Sequence, residues 1–330
     1  MTHITDVVES LEGVKSVFDG FAGTTRVGQC LRAKGYKVIS NDSAHYSFVF
    51  SKCYLKSSEK DLLLATDLLE GLNEKCGELE GFITTHYAGG AISKGVVNPI
   101  MYWQRKNTLK ADWFREEIEQ YKGKQLYYIL LTSLIMALDK VDNTVGVQQA
   151  FLKNTWSKRS YNEIYFEPPK IPVGPKGRAL RGDTNKVILK VKADLCYYDP
   201  PYTSHNYGSY YHIWDTIVLN DCPMVSGIVN RREGIITSDY NKKNVALSSF
   251  TDLLSKTASK YILISYNDEG LIKPEDLLFM CEQCGNTTVI EIDYKRNIMS
   301  QIGIHDMSGE VVGTPGKKMN KEYLFLVIST

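Results

Sequence analysis

Residues 14–42 read VKSVFDGFAGTTRVGQCLRAKGYKVISND, and the pattern of this stretch indicates how the chain is built. Val14–Phe21 is a short apolar run that meets glycines, as a buried strand does when it enters a turn. Thr25–Lys34 has the pattern of a helix, which the following glycine ends. Tyr36–Ser40 has the pattern of a second strand, closed by an Asn-Asp pair. A strand, a helix and a strand in this order predict a βαβ unit in a parallel sheet with a right-handed crossover.

The middle of the chain has a different character, because apolar residues there recur at helical spacing. Four segments share this spacing: Lys60–Leu72, Leu109–Tyr121, Gln125–Leu138 and Val145–Trp156. A loop rich in proline, glycine and basic residues, Pro168–Arg181, follows them. We therefore expect a mostly helical insertion over residues 58–181, between a first part of the main domain at 1–57 and a second part at 182–330.

Strand patterning resumes after the insertion. The predicted strands are Lys186–Val191, Asp194–Tyr198, Tyr261–Ser265, Thr287–Asp293 and Glu322–Ile328. The predicted helices are Tyr210–Leu219, Val245–Thr257 and Pro274–Cys284, and a polar loop, Asp306–Lys321, precedes the last strand. Strands that alternate with helices predict an α/β fold, in which a Rossmann-like sheet has helices on both faces.

The composition, with 43% hydrophobic and 23% charged residues, is ordinary for a globular enzyme. No run reaches the roughly 18 apolar residues that span a bilayer, and the first residues lack the features of a secretory signal. The seven cysteines are odd in number and scattered, which suits reduced thiols, so we expect a cytoplasmic protein with no membrane partner. A formal net charge of +1 neither demands nor excludes nucleic acid, so any DNA surface must be a local basic patch.

A metal ion has no evident set of ligands in the sequence. Cys281 and Cys284 form a CxxC pair inside a predicted helix, but no second pair follows them. The six histidines show no HExxH or other close grouping. We therefore expect no metal site.

Leu195–Tyr202 reads LCYYDPPY, and we expect the chemistry in this segment. Its apolar residues predict a strand that ends at Asp199, and the two prolines that follow cannot continue a central ladder. They make a rigid loop at the carboxyl end of a strand, which is where open α/β sheets bind ligands. A carboxylate, a fixed backbone carbonyl and an aromatic ring therefore arrive together in a cleft.

This combination suits methylation of an exocyclic amino group. The amino nitrogen of adenine is a poor nucleophile, because its lone pair is conjugated with the ring. Asp199 and the Pro200 carbonyl would accept hydrogen bonds from its two N–H groups, which frees the lone pair for attack on a methyl sulfonium. Pro201 would keep the loop rigid, and Tyr202 would stack on a base that has left the double helix. For an isolated tetrapeptide of this kind, a simple loop after a strand remains the alternative.

The turn after the first strand, Phe18–Gly28, is the predicted cofactor site. Its small residues let the backbone approach a ligand, and the helix that follows offers free N–H groups. The turn is not GxGxxG, so a nicotinamide-dependent oxidoreductase fits poorly. Asp42, at the end of the second strand, is placed to bind ribose hydroxyls, or else closes a turn. Asp183, in the GDTN segment, could contact an adenine amino group, or else caps a turn or helix.

Together these motifs resemble the Dam-like class of adenine-specific DNA methyltransferases. The matching features are FAGT after an apolar strand, an acidic residue at the end of the second strand, GDT and YDPPY. The order of cofactor turn, insertion and DPPY matches the alpha group, in which the target-recognition domain lies between the two motifs. The resemblance implies S-adenosylmethionine as cofactor, double-stranded DNA as partner, and a modification role beside a cognate restriction endonuclease.

The resemblance also implies roles for individual residues. The residues that would line the methionine and adenosine portions of the cofactor are Asp19, Phe21, Ala22, Gly23 and Thr24. Asp42 would hold the ribose, Asp183 the adenine, and Asp199 would lie near the sulfonium. Thr25 stands where the family's FxGxG pattern has its last glycine. The chain also opens directly in its predicted first helix, without the usual Tyr-Gly-Ser-Lys-like segment, so we expect weaker cofactor binding or a start further upstream.

Candidate DNA contacts follow the DPPY motif. Asn206 and Tyr207 could wall the pocket of the flipped base or contact the displaced strand, and a loop before a buried helix is an equal alternative. Four basic residues further along could bind phosphates, namely Arg231, Arg232, Lys242 and Lys243. A solvated loop explains them equally well. Asn267, at the end of a predicted strand, could lie beside the target base.

Other targets of the same chemistry remain open: cytosine N4, an RNA adenine or a protein glutamine. A serine in place of Asp199 would favour cytosine and an asparagine would favour RNA or protein, so aspartate favours DNA adenine. Methylation of cytosine C5 is disfavoured, because the chain contains no Pro-Cys dipeptide. A non-catalytic nucleic-acid-binding relative of the same fold is the alternative from a different class. We therefore predict a site-specific DNA methyltransferase that acts on N6 of a flipped adenine.

Overall fold

The computed structural model describes residues 2–89, 92–93, 96–97, 99–295, 304–305, 311–313 and 319–329. The strands of the central sheet are β1 (Ser16–Asp19), β2 (Lys37–Asp42), β3 (Arg178–Arg181), β4 (Leu195–Tyr198), β5 (Tyr261–Asn267), β6 (Gly285–Lys295) and β7 (Met319–Ser329). Their order in the sheet is β6-β7-β5-β4-β1-β2-β3. The pairs β1–β4, β4–β5 and β2–β3 are parallel, whereas β7 is antiparallel to both β5 and β6. The Rossmann-like α/β sheet predicted from the sequence is confirmed.

Helices flank this sheet and are the longest regular elements of the inserted segment. They are α1 (Thr2–Glu9), α2 (Arg26–Ala33), α3 (His45–Lys56), α4 (Glu59–Glu74), α5 (Phe82–Tyr87), α6 (Arg105–Glu117), α7 (Gln125–Lys140), α8 (Thr184–Val187), α9 (Tyr207–Tyr210), α10 (His212–Leu219), α11 (Ala246–Lys256) and α12 (Pro274–Glu282). Short 3-10 helices lie at Ile118–Tyr121, Lys158–Tyr161, Ile188–Lys190 and Asp239–Asn241. Within the described ranges, no helix has the length and apolar character needed to cross a membrane.

The chain divides into two compact units. The first comprises Ala22–Asp183 and Asn206–Thr237, and it contains β2, β3, the inserted helices, α9 and α10. The second comprises Thr2–Phe21, Thr184–His205 and the described part of Ser238–Thr330, and it contains β1, β4, β5, β6 and β7. The DPPY motif therefore belongs to the second unit, together with the strand that leads into the cofactor turn.

A large hydrophobic core, built from the described residues, runs through the first unit. Leu130, Leu134 and Leu138 of α7 are fully buried in it. Phe50 of α3 and Ile217 of α10, both outside the inserted segment, are buried in the same cluster. The inserted helices thus share their core with helices that precede and follow them in the chain.

The second unit is organised around β4 and β5. Every residue of Leu195–Tyr198 and of Tyr261–Asn267 is buried, as expected for parallel strands covered on both faces. The register pairs Phe18 of β1 with Cys196 of β4, and Cys196 in turn with Ile262 of β5. Because the three strands are parallel, their carboxyl ends lie at one edge of the sheet.

The prediction of a strand at Lys186–Val191 is wrong. The segment forms the end of α8 and then a 3-10 helix, Ile188–Lys190. Ile188 and Val191 are buried and Leu189 is 65% exposed. Burial of residues three apart is the pattern of a helical turn, whereas a strand would bury every second residue. The β-branched residues there favoured the wrong prediction.

The prediction of a helix at Val145–Trp156 is also wrong, because this segment forms turns and one isolated bridge, Thr144–Phe151. Gly146 and Asn154 have φ values of 102° and 61°, which a right-handed helix does not allow. The Asn143 amide stabilises the turns instead, since it donates to the carbonyls of Met101, Leu152 and Thr155.

Other differences are omissions. Helix α3 was not predicted, and β3 lies inside the segment predicted as the loop Pro168–Arg181. β3 pairs with β2 at the edge of the sheet, where a short polar strand needs no apolar pattern of its own. The predicted polar loop Asp306–Lys321 falls largely outside the described residues.

Candidate active site

Two neighbouring strands of the second unit, β1 and β4, end side by side. Asp19, the last residue of β1, pairs in register with Tyr197. The backbone N–H of Gly20 donates a 3.0 Å hydrogen bond to the Tyr197 carbonyl. Tyr197 lies two residues before Asp199, so the turn after β1 and the DPPY loop leave the sheet at the same edge. The structure therefore brings the start of the cofactor turn next to the predicted catalytic motif.

The turn after β1 passes close to the side chains beneath it. A Cβ atom at Gly20 would lie 2.8 Å from the Tyr198 ring and 3.0 Å from Thr184, so a side chain does not fit there. The Thr184 hydroxyl donates a 2.7 Å hydrogen bond to the Gly20 carbonyl. The GDT motif thus contacts the turn through its threonine, whereas Asp183, the residue singled out from the sequence, is exposed just before α8.

Asp19 and Phe21 flank this glycine and have different surroundings. The Asp19 side chain is buried, and the Phe21 side chain is half-buried. The Phe21 ring packs edge-to-face against Tyr198 and Tyr240, with centroid distances of 6.3 Å and 5.0 Å. A buried carboxylate beside an aromatic wall is suited to a ligand that has both a positive charge and an apolar part.

The remainder of the turn, in the first unit, is held by the end of β2. The Asp42 carboxylate accepts hydrogen bonds from the backbone N–H groups of Gly23 (2.8 Å) and Ala44 (2.9 Å). Burial raises the pKa of Asp42, although these hydrogen bonds oppose the change. The N–H of Ala22 donates to a carbonyl of β2 (3.0 Å), and Thr24 is exposed. Asp42 therefore holds the turn and the start of α3 in place.

Thr25 replaces the last glycine of the FxGxG pattern, and its backbone conformation shows the consequence. It adopts a left-handed backbone conformation, with φ of 65°, and is fully buried, with its hydroxyl 3.3 Å from that of Ser51. This conformation costs a non-glycine residue about 1–2 kcal/mol, so a glycine is the unstrained choice at this position.

Asp199 directly follows β4, and the next residue, Pro200, is buried. Asp199 is exposed, yet the protein atoms around its carboxyl group disfavour the charged form. This desolvation, and after it the nearby Glu322 carboxylate, raise the pKa of Asp199 to about 7. The carboxylate is therefore more basic, and a stronger hydrogen-bond acceptor, than that of an ordinary aspartate.

Polar side chains of β5 and β7 lie at the same edge of the sheet. Asn267, the last residue of β5, pairs with Glu322 of β7, and the Ser265 hydroxyl donates a hydrogen bond to the Glu322 carboxylate. Burial, and after it the charge of Asp199, raise the pKa of Tyr197 in the neighbouring strand. Asn267 lies at a strand end predicted from the sequence. Glu322 was missed, because only the pairing of distant strands brings it to this edge.

Tyr202, the last residue of DPPY, is fixed through its backbone. The N–H of Leu271 donates a 2.8 Å hydrogen bond to the Tyr202 carbonyl. The half-buried Tyr202 ring lies edge-to-face with Tyr266 at 6.2 Å, and the Tyr266 hydroxyl accepts a 3.1 Å hydrogen bond from the N–H of Ile272. The loop after β5 therefore supports the aromatic end of the motif.

Asn206 and Tyr207, two of the predicted DNA contacts, belong to the first unit. The Asn206 side chain caps α9, because its oxygen accepts from the N–H of Gly208 (2.9 Å). Its nitrogen donates to the Ile236 carbonyl (3.3 Å) and the Thr237 hydroxyl (3.0 Å). Tyr207 is half-buried and packs against Tyr210, with ring centroids 5.5 Å apart. Both side chains thus have structural contacts in addition to any DNA contact.

The four predicted phosphate contacts have unequal surroundings. Arg232 is mostly buried and forms a 2.7 Å ion pair with Asp221, and Lys242 forms one of 2.7 Å with Asp239. Arg231 lies exposed on a two-residue strand, and Lys243 is exposed in a loop. Arg231 and Lys243 are therefore the better placed of the four to reach a phosphate.

No group of three or more histidine, cysteine, aspartate or glutamate side chains that could hold a metal occurs among the described residues. In the CxxC pair, burial raises the pKa of the Cys281 thiol to about 12. A thiol with so high a pKa stays protonated near neutral pH when no cation is bound beside it.

A sheet of this order, with the glycine turn and the DPPY loop at adjacent strand ends, defines a Rossmann-like methyltransferase. The chain belongs to the D12 class N6 adenine-specific DNA methyltransferase family, whose pattern matches residues 1–280. The protein is therefore an adenine-specific DNA methyltransferase, and its substrate is DNA. The enzyme class and the reaction predicted from the sequence are confirmed.

The chain is similar to several modification enzymes. The Type II methyltransferase M.NlaIII of Neisseria lactamica is 32% identical over 301 residues, which cover 89% of this chain and 87% of the relative. The Type II methyltransferase M.CviAII of Paramecium bursaria Chlorella virus 1 is 29% identical over 287 residues, which cover 84% and 83%. The modification methylase StsI of Streptococcus sanguinis is 32% identical over 292 residues, which cover 85% of this chain but only 44% of that protein.

Proposed function

We propose that the enzyme transfers a methyl group from S-adenosylmethionine to N6 of an adenine flipped out of double-stranded DNA, within one short recognition sequence. The observation that carries this proposal is the position of the cofactor turn beside the DPPY loop. The hydrogen bond from Gly20 to Tyr197 joins the two strand ends within a single compact unit. A donor bound at the turn and a base bound at the loop would thus meet at one edge of the sheet.

The residues at the turn fit S-adenosylmethionine. The close backbone approach at Gly20 and the aromatic side of Phe21 suit an adenosine group, and the buried Asp19 suits a cation. We assign the cofactor to Asp19, Phe21, Ala22, Gly23, Thr24, Asp42, Asp183 and Asp199. When bound, S-adenosylmethionine supplies a methyl group on a positively charged sulfur, which nearby carboxylates stabilise.

The DPPY loop would bind the adenine. The Asp199 carboxylate and the Pro200 carbonyl accept hydrogen bonds from the amino group and so make its lone pair available. Pro201 restricts the loop, and Tyr202 stacks on the base. Methylation leaves one excess proton on N6, and Asp199, with its raised pKa, is the group of this chain placed to accept it. The reaction needs no covalent intermediate with the protein.

The remaining assignments concern DNA. Residues 58–181 form the target-recognition region, which contacts base edges in the grooves. Asn206, Tyr207, Arg231, Arg232, Lys242 and Lys243 contribute contacts outside that region, with Arg231 and Lys243 as the more accessible phosphate contacts. Because its relatives are modification enzymes, we infer a restriction endonuclease of the same specificity as a functional partner, in the cytoplasm of the host cell.

The test is to express the chain in a host that lacks DNA methyltransferases and to map modified bases by sequencing. We expect N6-methyladenine at one short sequence. The Asp199→Ala variant should leave the DNA unmodified, because the amino group loses its acceptor, while it still binds S-adenosylhomocysteine in calorimetry. Modified cytosine in place of adenine, or normal modification by Asp199→Ala, would contradict the proposal.

A further inference from the structure

The 3-10 helix Asp239–Asn241, in the second unit, contacts the loop that follows the DPPY motif. Asn241 donates two hydrogen bonds from its side-chain nitrogen, each 2.8 Å long, to the backbone carbonyls of Thr203 and His205. The Asn241 side chain is only 5% exposed. The contacted residues begin directly after Tyr202, so Asn241 holds the chain where it leaves the proposed adenine site.

These two hydrogen bonds fix the path of the loop. A primary amide has two N–H groups, and here both point to carbonyls two residues apart, so the loop must curve around the amide. Ser204 and His205 are exposed, so burial of their side chains does not determine this path. The Asn241 amide therefore determines the backbone path of residues 203–205.

Asn241 is itself held in place by its own backbone and by the contacts of its neighbour. The N–H of Asn241 donates to the Ser238 carbonyl (3.0 Å), which closes the 3-10 turn. The neighbouring Tyr240 is 4% exposed, packs on Phe21 at 5.0 Å, and donates a 2.7 Å hydrogen bond from its hydroxyl to the Asn185 side chain. Tyr240 thus supports the cofactor turn, and the next residue, Asn241, supports the loop that follows DPPY.

We propose that Asn241 is a positioning residue for the target adenine. It holds residues 203–205 so that Tyr202 and the acceptors of DPPY keep the orientation that methyl transfer requires. The Leu271 N–H binds the Tyr202 carbonyl at the start of the same loop, so Leu271 and Asn241 together hold the loop from Tyr202 to His205. This inference rests on the proposed function of DPPY, but it assigns a role to a residue outside that motif.

The test compares Asn241→Ala and Asn241→Asp with Asn244→Ala as control. Asn244 is the same residue type, exposed, three positions further along the same segment. With a duplex that contains the mapped site, we expect kcat of both Asn241 variants to fall about 10- to 100-fold, because small misplacements of reacting groups are costly. Binding of S-adenosylhomocysteine should stay within about twofold, since the Tyr240 contact remains, and the control should match the wild type.

Hydrogen–deuterium exchange provides a readout that does not depend on catalysis. The backbone amides of residues 203–206 should exchange faster in both Asn241 variants, while those of β4 stay protected. Unchanged kcat in a variant, with an active wild type, would overturn the proposal. So would equal losses of kcat and S-adenosylhomocysteine binding, which would show general damage to the fold. An inactive wild type would instead contradict the proposed function, and the exchange experiment would still test the loop contact.

Discussion

At the scale of single residues, the acid–base state of Asp199 governs the proposed chemistry. Desolvation, and after it the Glu322 carboxylate, favour the protonated form and raise its pKa. Tyr197 also lies within range of the Asp199 charge, and its own raised pKa keeps that phenol neutral. Only the ionised Asp199 can accept hydrogen bonds through both oxygens. Activity should therefore decrease as the pH falls through a range closer to neutrality than for an ordinary aspartate.

Replacing Glu322 tests this electrostatic coupling. Glu322→Gln removes the neighbouring negative charge, so the pKa of Asp199 should fall and the acid limb of kcat/KM should move to lower pH. The measurement is the pH profile of kcat/KM for the mapped duplex. Glu291→Gln is the control, because Glu291 lies exposed on β6 in a 2.6 Å ion pair with Lys321. An acid limb at the same pH in an active Glu322→Gln enzyme would show that Glu322 does not influence Asp199.

At the scale of elements, predictions succeeded where residues adjacent in sequence also pack together. β1, α2 and β2 follow from residues 14–42, and β4 with its proline loop follows from LCYYDPPY. The helix predicted at Val145–Trp156 failed because positive φ values and the Asn143 hydrogen bonds outweigh apolar spacing. Glu322 and Asn241 were missed because no local pattern marks a side chain that contacts a loop or strand many residues away.

The turn between β1 and α2 depends on a single carboxylate of β2. Asp42→Ala removes the acceptor for the N–H groups of Gly23 and Ala44 and so loosens the turn as well as the start of α3. We expect S-adenosylhomocysteine to bind about tenfold more weakly or worse in calorimetry, because hydrogen bonds to charged groups contribute about 1.5–3 kcal/mol each. Asp42→Asn keeps one acceptor oxygen and should lie between the wild type and Asp42→Ala. If Asp42→Ala bound S-adenosylhomocysteine with wild-type affinity, the assignment of Asp42 to the cofactor site would be wrong.

At the scale of the whole molecule, the inserted segment is not separate from its surroundings. Arg115 of α6, only 2% exposed, donates to the Ile217 carbonyl of α10 (2.7 Å) and to the Tyr127 hydroxyl of α7 (3.0 Å). It also forms a 2.8 Å ion pair with Glu119. Glu119 and Tyr127 lie within the insertion, whereas the contact with Ile217 joins this buried charge to α10, which lies beyond the insertion in sequence. The inserted helices and α10, which follows the DPPY motif in the chain, thus share one hydrophobic core.

This shared core predicts how fragments fold. Residues 58–181 alone lack the buried side chains of α3 and α10, such as Phe50, Tyr54, Trp214 and Ile217. Burial of each such side chain is worth about 1.5–3 kcal/mol, and a domain is stable by only about 5–15 kcal/mol. The fragment should therefore show no cooperative thermal transition by circular dichroism. Residues 37–237, which restore both helices, should regain one. Cooperative unfolding of 58–181 alone would instead establish the insertion as an independent domain, whose recognition role could then be tested by transfer to a related enzyme.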